Sequence, residues 1–172
     1  VRYQVVTNFD HQGSNPTGLV QGRDGNLYGT FQEGGRRWEG VVFRVKPDGS
    51  AYSVVYDFGN ESGREAAQWP QGVLEGKDGT LYGTTRLGGI PAGDEFASGC
   101  GMVFKVNRDG SAYQVLHRFS PSPDNGVAPW AGLVEDSAGV LYGTTLEGGA
   151  HRGGVVFRMN RDGSGFTILH HF

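Results

Sequence analysis

Several features that define common protein classes are scarce or missing in this chain of 172 residues. A single cysteine, Cys100, excludes an internal disulfide bond. No apolar run is long enough to span a membrane, and no segment repeats its apolar residues at the helical period. The net charge is −3 with both signs interspersed, so the chain has no basic run for nucleic acid or anionic lipid. We therefore predict neither a nucleic-acid partner nor membrane insertion.

Glycine, in contrast, is abundant: the chain has 31, and they recur at fixed positions of a repeat. The segment Leu-Tyr-Gly-Thr occurs three times, and its tyrosines, Tyr28, Tyr82 and Tyr142, lie 54 and 60 residues apart. A glycine pair follows each copy, and Asp-Gly turns separate short alternating strands. Self-similarity at this period indicates supersecondary units that must pack on one another to bury their apolar faces.

Each repeat contains four short strands joined by hairpins, which is the pattern of a propeller blade. Alternation predicts apolar residues on both faces: in the first repeat Tyr52, Val54 and Phe58 face one way and Val55 the other. A sheet that is apolar on both faces must be covered on both, and radial stacking of blades achieves this. We predict an all-β fold of β-propeller blades, with a β-solenoid as the weaker alternative.

The predicted domain covers residues 1–172 as three four-stranded antiparallel blades and one extra strand. Blade 1 comprises residues 17–58, blade 2 residues 71–119 and blade 3 residues 131–172, while residues 1–9 form an extra outer strand. Closed propellers have about four to eight blades, and the chain begins without a methionine. We therefore expect further repeats of a longer chain, or identical copies, to complete a larger ring.

The combined pattern resembles a known family. Leu-Tyr-Gly-Thr-Thr, Gly-Gly, Gly-Val-Val-Phe-Arg and Asp-Gly-Ser, followed by an aromatic strand that ends in Phe, is similar to the Gloeo/Verruco (GloVer) tandem repeat. The resemblance implies a propeller-like array that is secreted or held at a bacterial cell surface. It implies no activity and no catalytic residues, so no functional position is transferred from it.

Strand order separates the loops into two sets. The Asp-Gly turns lie at one end of the blades, and the loops of variable length lie at the other end, which we call the variable face. Function usually lies in loops that differ on a constant scaffold. The candidate ligand-binding residues on the variable face are Arg36, Arg37, Trp38, Glu39, Trp69, Asp94, Glu95, Phe96, Trp130, His151 and Arg152.

The three tryptophans can be interpreted in two ways. An indole ring offers a flat apolar face to the C–H surface of a sugar or to an anchor residue of a partner, while neighbouring charges bind hydroxyls. Alternatively, Trp69 beside Pro70 and Trp130 beside Pro129 brace the loop that enters the inner strand.

Signals of catalysis are weak. Asp94 and Glu95 could supply a carboxylate pair, but neighbouring loop residues usually point apart, which favours solvation over glycoside chemistry. His117 aligns with Tyr56 and His170, which favours packing, and the pair His170-His171 alternates faces and cannot chelate one metal. No nucleophile elbow, zinc motif or phosphate loop is present. We predict no catalytic residue, no metal and no cofactor.

The leading hypothesis is a non-enzymatic extracellular binding or scaffold module, with carbohydrate as the first ligand and a surface protein as a further partner. The alternatives are a polysaccharide-active enzyme with its site on the variable face, or a purely structural surface protein.

Overall fold

Glycine-rich turns fold the chain into successive antiparallel hairpins. In the computed structural model, which describes residues 13–60, 66–91, 93 and 97–172, these hairpins form three four-stranded sheets. The described residues contain one 3-10 turn, Phe58–Asn60, and no α-helix. The prediction of an all-β fold is confirmed. The predicted extra strand at residues 1–9 lies outside the described residues.

Each four-stranded sheet forms one blade, and its strands pair in chain order. Blade 3 also contains a separate two-stranded ladder. Blade 1 consists of β1 (Gly13–Gln21), β2 (Leu27–Gly34), β3 (Val41–Val45) and β4 (Ser53–Asp57). Blade 2 consists of β5 (Gln68–Glu75), β6 (Leu81–Leu87), β7 (Met102–Val106) and β8 (Gln114–Arg118). Blade 3 consists of β9 (Gly126–Val127), β10 (Val134–Glu135), β11 (Val140–Thr144), β12 (Glu147–Gly148), β13 (Val155–Asn160) and β14 (Thr167–His171).

The inner strands differ from their predicted form. β1 and β5 begin at Gly13 and Gln68, before the predicted starts at residues 17 and 71. Each has a register shift just after its proline, so a bulge lets the strand continue where the sequence indicates a loop. In blade 3 the inner strand is interrupted: β9 pairs with β12 in a small separate ladder.

A bulge in the outer strand of blade 1 reverses part of the predicted alternation. The pairing of β3 with β4 shifts register and leaves Val55 as an extra residue. Tyr52 therefore packs on one face of the blade, whereas Val55 and Phe58 pack toward blade 2. The prediction that Phe58 shares the face of Tyr52 was wrong, because one extra residue inverts the side-chain alternation that follows it.

The apolar core lies between adjacent blades, and we call the two contacts joint 1–2 and joint 2–3. The buried residues of the two joints occupy matching repeat positions. Joint 1–2 includes Tyr28, Val42, Phe58, Leu81 and Phe104, and joint 2–3 includes Tyr82, Val103, Phe119, Leu141 and Phe157. Burial between sheets is the main favourable contribution to such a fold, at about 25 cal/mol per Å² of apolar surface.

Aromatic rings stack across both joints at the outer strands. The ring centroids of Tyr56 and Tyr113 are 4.2 Å apart, and those of His117 and Phe166 are 3.8 Å apart. The Nε2 atom of His117 lies 3.1 Å from Oδ1 of Asn125, and burial of the ring lowers the pKa of His117. His117 is therefore part of the packing, as the repeat alignment predicts.

A tyrosine and an aspartate clamp each inner turn. The hydroxyl of Tyr28 donates to Asp24 at 2.7 Å, and that of Tyr82 donates to Asp78 at 2.8 Å. Burial, together with the hydrogen bond to Asp24, raises the pKa of Tyr28 to about 12. The repeated tyrosine thus joins the interblade core to the turn at its end.

Blade 3 makes the same clamp from a different position. The backbone hydrogen bonds of the turn place Asp136 where blade 1 has Gly22, and Ala138 where blade 1 has Asp24. The carboxylate of Asp136 nevertheless accepts a hydrogen bond from Tyr142 at 3.0 Å. This repeat has no Asp-Gly sequence at its inner turn, but the clamp is preserved because Asp136 takes over the role of the aspartate.

Candidate functional site

The loops of the two ends differ in regularity, as predicted. The turn glycines Gly25, Gly49, Gly79, Gly110 and Gly163 all have positive φ, between 80° and 90°. This conformation is the one that a tight hairpin requires of glycine. The loops of the variable face, in contrast, have no common length, so this end of the blades provides the diverse surface.

A proline segment at the start of each inner strand joins neighbouring blades on the variable face. The backbone N–H of Trp69 donates to the carbonyl of Glu39 at 3.0 Å, and that of Ala128 donates to Cys100 at 2.8 Å. Trp69 and Ala128 both precede a proline and have φ of 58° and 53°. Because alanine serves the same backbone role in blade 3, the joint does not require the indole of Trp69.

Two of the three tryptophans meet at joint 2–3, around an arginine that the sequence analysis did not select. The Cζ atom of Arg86 lies 5.3 Å from the ring centroid of Trp69 and 4.1 Å from that of Trp130. Arg86 comes from β6, Trp69 from β5 of the same blade, and Trp130 from the loop between β9 and β10. We call these three residues the Trp–Arg–Trp cluster.

Among the described residues, no carboxylate pairs with Arg86. Its guanidinium has no hydrogen bond or ion pair with any of those residues, and its Nε atom is buried without an acceptor there. The residue as a whole is only partly buried, and Trp130 is 49% exposed. The cluster therefore presents an uncompensated guanidinium and an open aromatic surface on the variable face.

The remaining candidates lie elsewhere on the variable face. Trp38 is 63% exposed with φ of 62°, and the N–H of Arg36 donates to the carboxylate of Asp57 at 3.1 Å. His151 and Arg152 are exposed in the loop after β12. Among the residues that the structure describes, no hydrogen bond, ion pair or ring contact connects Trp38, His151 or Arg152 to the Trp–Arg–Trp cluster.

Of the remaining candidates, two lie in the loop before β3 and three lie outside the described residues. Arg37 is exposed and Glu39 is partly buried in the loop before β3, whereas Asp94, Glu95 and Phe96 lie outside the described residues. Cys100 is a buried free cysteine in the core of joint 2–3. His171 accepts a hydrogen bond from the N–H of Ala150 at 3.1 Å, so its side chain stabilises the loop after β12.

Among the described residues, no group of three or more His, Cys, Asp or Glu side chains is arranged to hold a metal ion. No helix in the described part of the chain is long and apolar enough to cross a membrane.

Four-stranded antiparallel blades packed face to face define a β-propeller-type protein. Residues 1–172 match the Gloeobacter/Verrucomicrobia repeat, and the chain belongs to that family. No curated protein matches the chain.

Solved structures share the fold at low sequence identity. A chain of a nidogen/laminin complex is 18% identical with a TM-score of 0.59, over 92% of this chain and 49% of that one. An ulvan lyase, a polysaccharide lyase bound to -[GlcA(1-4)Rha3S]-, is 17% identical with a TM-score of 0.57, over 93% and 40%. A putative TolB from Agrobacterium tumefaciens is 13% identical with a TM-score of 0.53, over 91% and 50%. The chain thus spans half or less of each of these structures.

Proposed function

We propose that this protein is a non-enzymatic, extracellular binding module whose variable face binds carbohydrate. The observation that carries the proposal is the Trp–Arg–Trp cluster, in which two indoles and a guanidinium without a counter-charge meet at one joint. Exposed indole surface stacks on the C–H faces of sugar rings, and guanidinium N–H groups donate to their oxygens. The module is secreted or held at the cell surface, as the family resemblance implies.

The arrangement of the joints supports a binding role for the cluster. At the position that corresponds to Arg86 and Trp130, joint 1–2 has Gln32 and Gln71, whose side chains are hydrogen-bonded to each other at 3.0 Å. The scaffold therefore closes a joint without an arginine or a tryptophan at this position. Propeller folds carry many unrelated functions, including the polysaccharide lyase with a bound oligosaccharide, so the site rather than the fold supports carbohydrate.

A glycan array followed by calorimetric titration tests the proposal. We expect the wild-type protein to bind a subset of glycans, and Trp130→Ala to weaken that binding about tenfold or more, the scale of one aromatic stacking contact. Leu146→Ala is the matched control, because Leu146 occupies the repeat position of Arg86 in blade 3 and is 49% exposed. No binding across a broad panel, or shortening of a bound polysaccharide during incubation, would overturn the proposal.

We further propose that the free blade faces are covered by additional repeats or by copies of the chain that complete a ring. On the first face, Leu19 is 60% exposed whereas its equivalent Leu133 is 6% exposed. On the last face, Phe172 is 58% exposed whereas its equivalents Phe58 and Phe119 are fully buried. Apolar side chains that are buried at the joints but exposed at these two faces support the proposal that the faces pack on further blades.

The mass of the particle in solution tests this partner proposal. Light scattering after size exclusion should show assemblies of this chain, or a longer native chain when the protein is isolated from its source. A stable, monodisperse particle of 18.5 kDa would contradict the proposal.

A further inference from the structure

The Trp–Arg–Trp cluster has a chemical preference that a general sugar site would lack. Arg86 contacts the rings of Trp69 and Trp130. Its Nε atom is buried and has no acceptor among the described residues. A buried donor on a charged group is unfavourable when it has no acceptor. The guanidinium thus has no oxygen acceptor among the described residues, which favours an anionic ligand over a neutral one.

The packing of a joint does not require an arginine without an acceptor at this position. The equivalent pair of joint 1–2, Gln32 and Gln71, is uncharged and satisfied by its own hydrogen bond. Three other arginines at the joints lie at the turn end and have oxygen acceptors there. Arg23 donates to the carbonyl of Lys77, and Arg108 and Arg161 are each paired with a glutamate of their own blade. Arg86 thus differs from these arginines because its guanidinium has no oxygen acceptor among the described residues.

We propose that the cluster is a subsite for an acidic sugar, in which Trp130 stacks on the ring of a uronic acid residue and Arg86 pairs with its carboxylate. A guanidinium presents N–H groups in a planar fork that matches the two oxygens of a carboxylate. An indole beside it covers the apolar ring face of the same residue. This inference rests on the proposed function and specifies its ligand class as a uronate-containing polysaccharide.

The test compares acidic oligosaccharides with neutral partners of the same backbone. A β-1,4-glucuronan oligomer and a cello-oligosaccharide of equal length differ only at C6, where the first has a carboxylate and the second a hydroxymethyl group. Oligogalacturonate, oligomannuronate and hyaluronan oligomers, each with its carboxyl-reduced form, complete the panel. We expect at least one acidic member to bind about tenfold or more tightly than its neutral partner, with the difference reduced by salt.

The variants isolate the contribution of Arg86. Arg86→Gln introduces the residue of joint 1–2 and should remove the preference for the acidic member, lowering its affinity about tenfold or more. Arg118→Gln removes the same charge from an exposed position of the outer strand β8 and should change the affinity less than about threefold. Circular dichroism and unfolding curves of both variants verify that they remain folded.

The outcomes separate this inference from the proposed function. Equal binding of acidic and neutral members, or acidic binding that Arg86→Gln leaves unchanged, would overturn the acidic subsite while carbohydrate binding stands. Equal losses in Arg86→Gln and Arg118→Gln would also overturn it, because they would indicate long-range electrostatic attraction rather than a paired contact. Binding to no member of either set would overturn the acidic subsite, and only the further absence of binding across the glycan array would overturn the proposed function itself.

Discussion

Joints 1–2 and 2–3 share almost every element that holds blades together. Both contain a stacked outer ring pair, Tyr56–Tyr113 in the first and His117–Phe166 in the second. At the turn end, each has a glutamate of the later blade that accepts a hydrogen bond from a backbone N–H of the earlier blade, Arg23 to Glu75 and Lys77 to Glu135. The same glutamates pair with Arg108 and Arg161 of their own blades. On the variable face, each has a backbone hydrogen bond that joins a pre-proline residue to the preceding blade.

The joints differ where the inner strands reach the variable face. One has the hydrogen-bonded pair Gln32–Gln71, and the other has Arg86 against Trp130. The positions that are alike in both joints are those that the packing needs in every blade. The position of Gln32 and Arg86, in contrast, is filled by two chemically unrelated residues. The comparison indicates that the scaffold fixes the centre and turn end of a joint and leaves its edge at the variable face free to vary.

The largest expected effect comes from one repeat position in two settings, a blade face that packs on its neighbour and a blade face that is exposed. Phe119→Ala should destabilise the protein by about 3–5 kcal/mol, because Phe119 is fully buried in joint 2–3. Phe172→Ala, at the equivalent position, should cost less than about 1 kcal/mol in a single chain, because Phe172 is 58% exposed. Urea unfolding measures both. A large loss for Phe172→Ala would show that its face is covered in solution.

The second prediction tests the turn end of joint 1–2. Gly110 and Gly25 have φ of 85° and 80°, but an added Cβ at Gly110 would collide with the carbonyl of Val55, whereas Gly25 has no atom within 4 Å. Gly25→Ala should therefore cost about 1 kcal/mol for backbone strain, and Gly110→Ala about 3 kcal/mol for strain and displacement of the joint. Equal melting temperatures for the two variants would show that the turn does not contact the preceding blade as described.

A third, smaller effect concerns alkaline pH. The pKa of Tyr28 is raised to about 12 by burial and by its hydrogen bond to Asp24. Because the unfolded value is about 10, the clamp contributes its full stability below that pH and loses it as the pH rises toward 12. Tyr28→Phe should reduce the loss of stability over this range. Identical pH profiles for variant and wild type in chemical unfolding would contradict the clamp.

Much of the fold could be predicted from the sequence because its signals are local. Asp-Gly turns and alternating strands depend on neighbouring residues, so the hairpins and the stacked blades follow from them. The bulge at Val55 and the start of β5 at Gln68 depend on pairing between strands, and alternation alone misplaces them.

The site was only partly predictable. Trp69 and Trp130 are candidates because of their chemistry, but Arg86 lies within a strand and is not among the predicted site residues. A usable signal was present: its repeat position is filled by Gln32, Arg86 and Leu146, directly after a segment that is nearly constant. A position that varies beside constant ones indicates a residue that packing does not dictate.

The stability of the double variant Arg86→Gln/Trp130→Gln tests the central claim most directly, because it gives joint 2–3 the pair found in joint 1–2. Loss of the cation–π contact, about 0.5–1 kcal/mol, is offset by removal of an unmet buried donor. We predict a free energy of unfolding within about 1 kcal/mol of wild type, together with loss of glycan binding. A destabilisation above about 3 kcal/mol would show that the cluster holds the blades together and would contradict the claim.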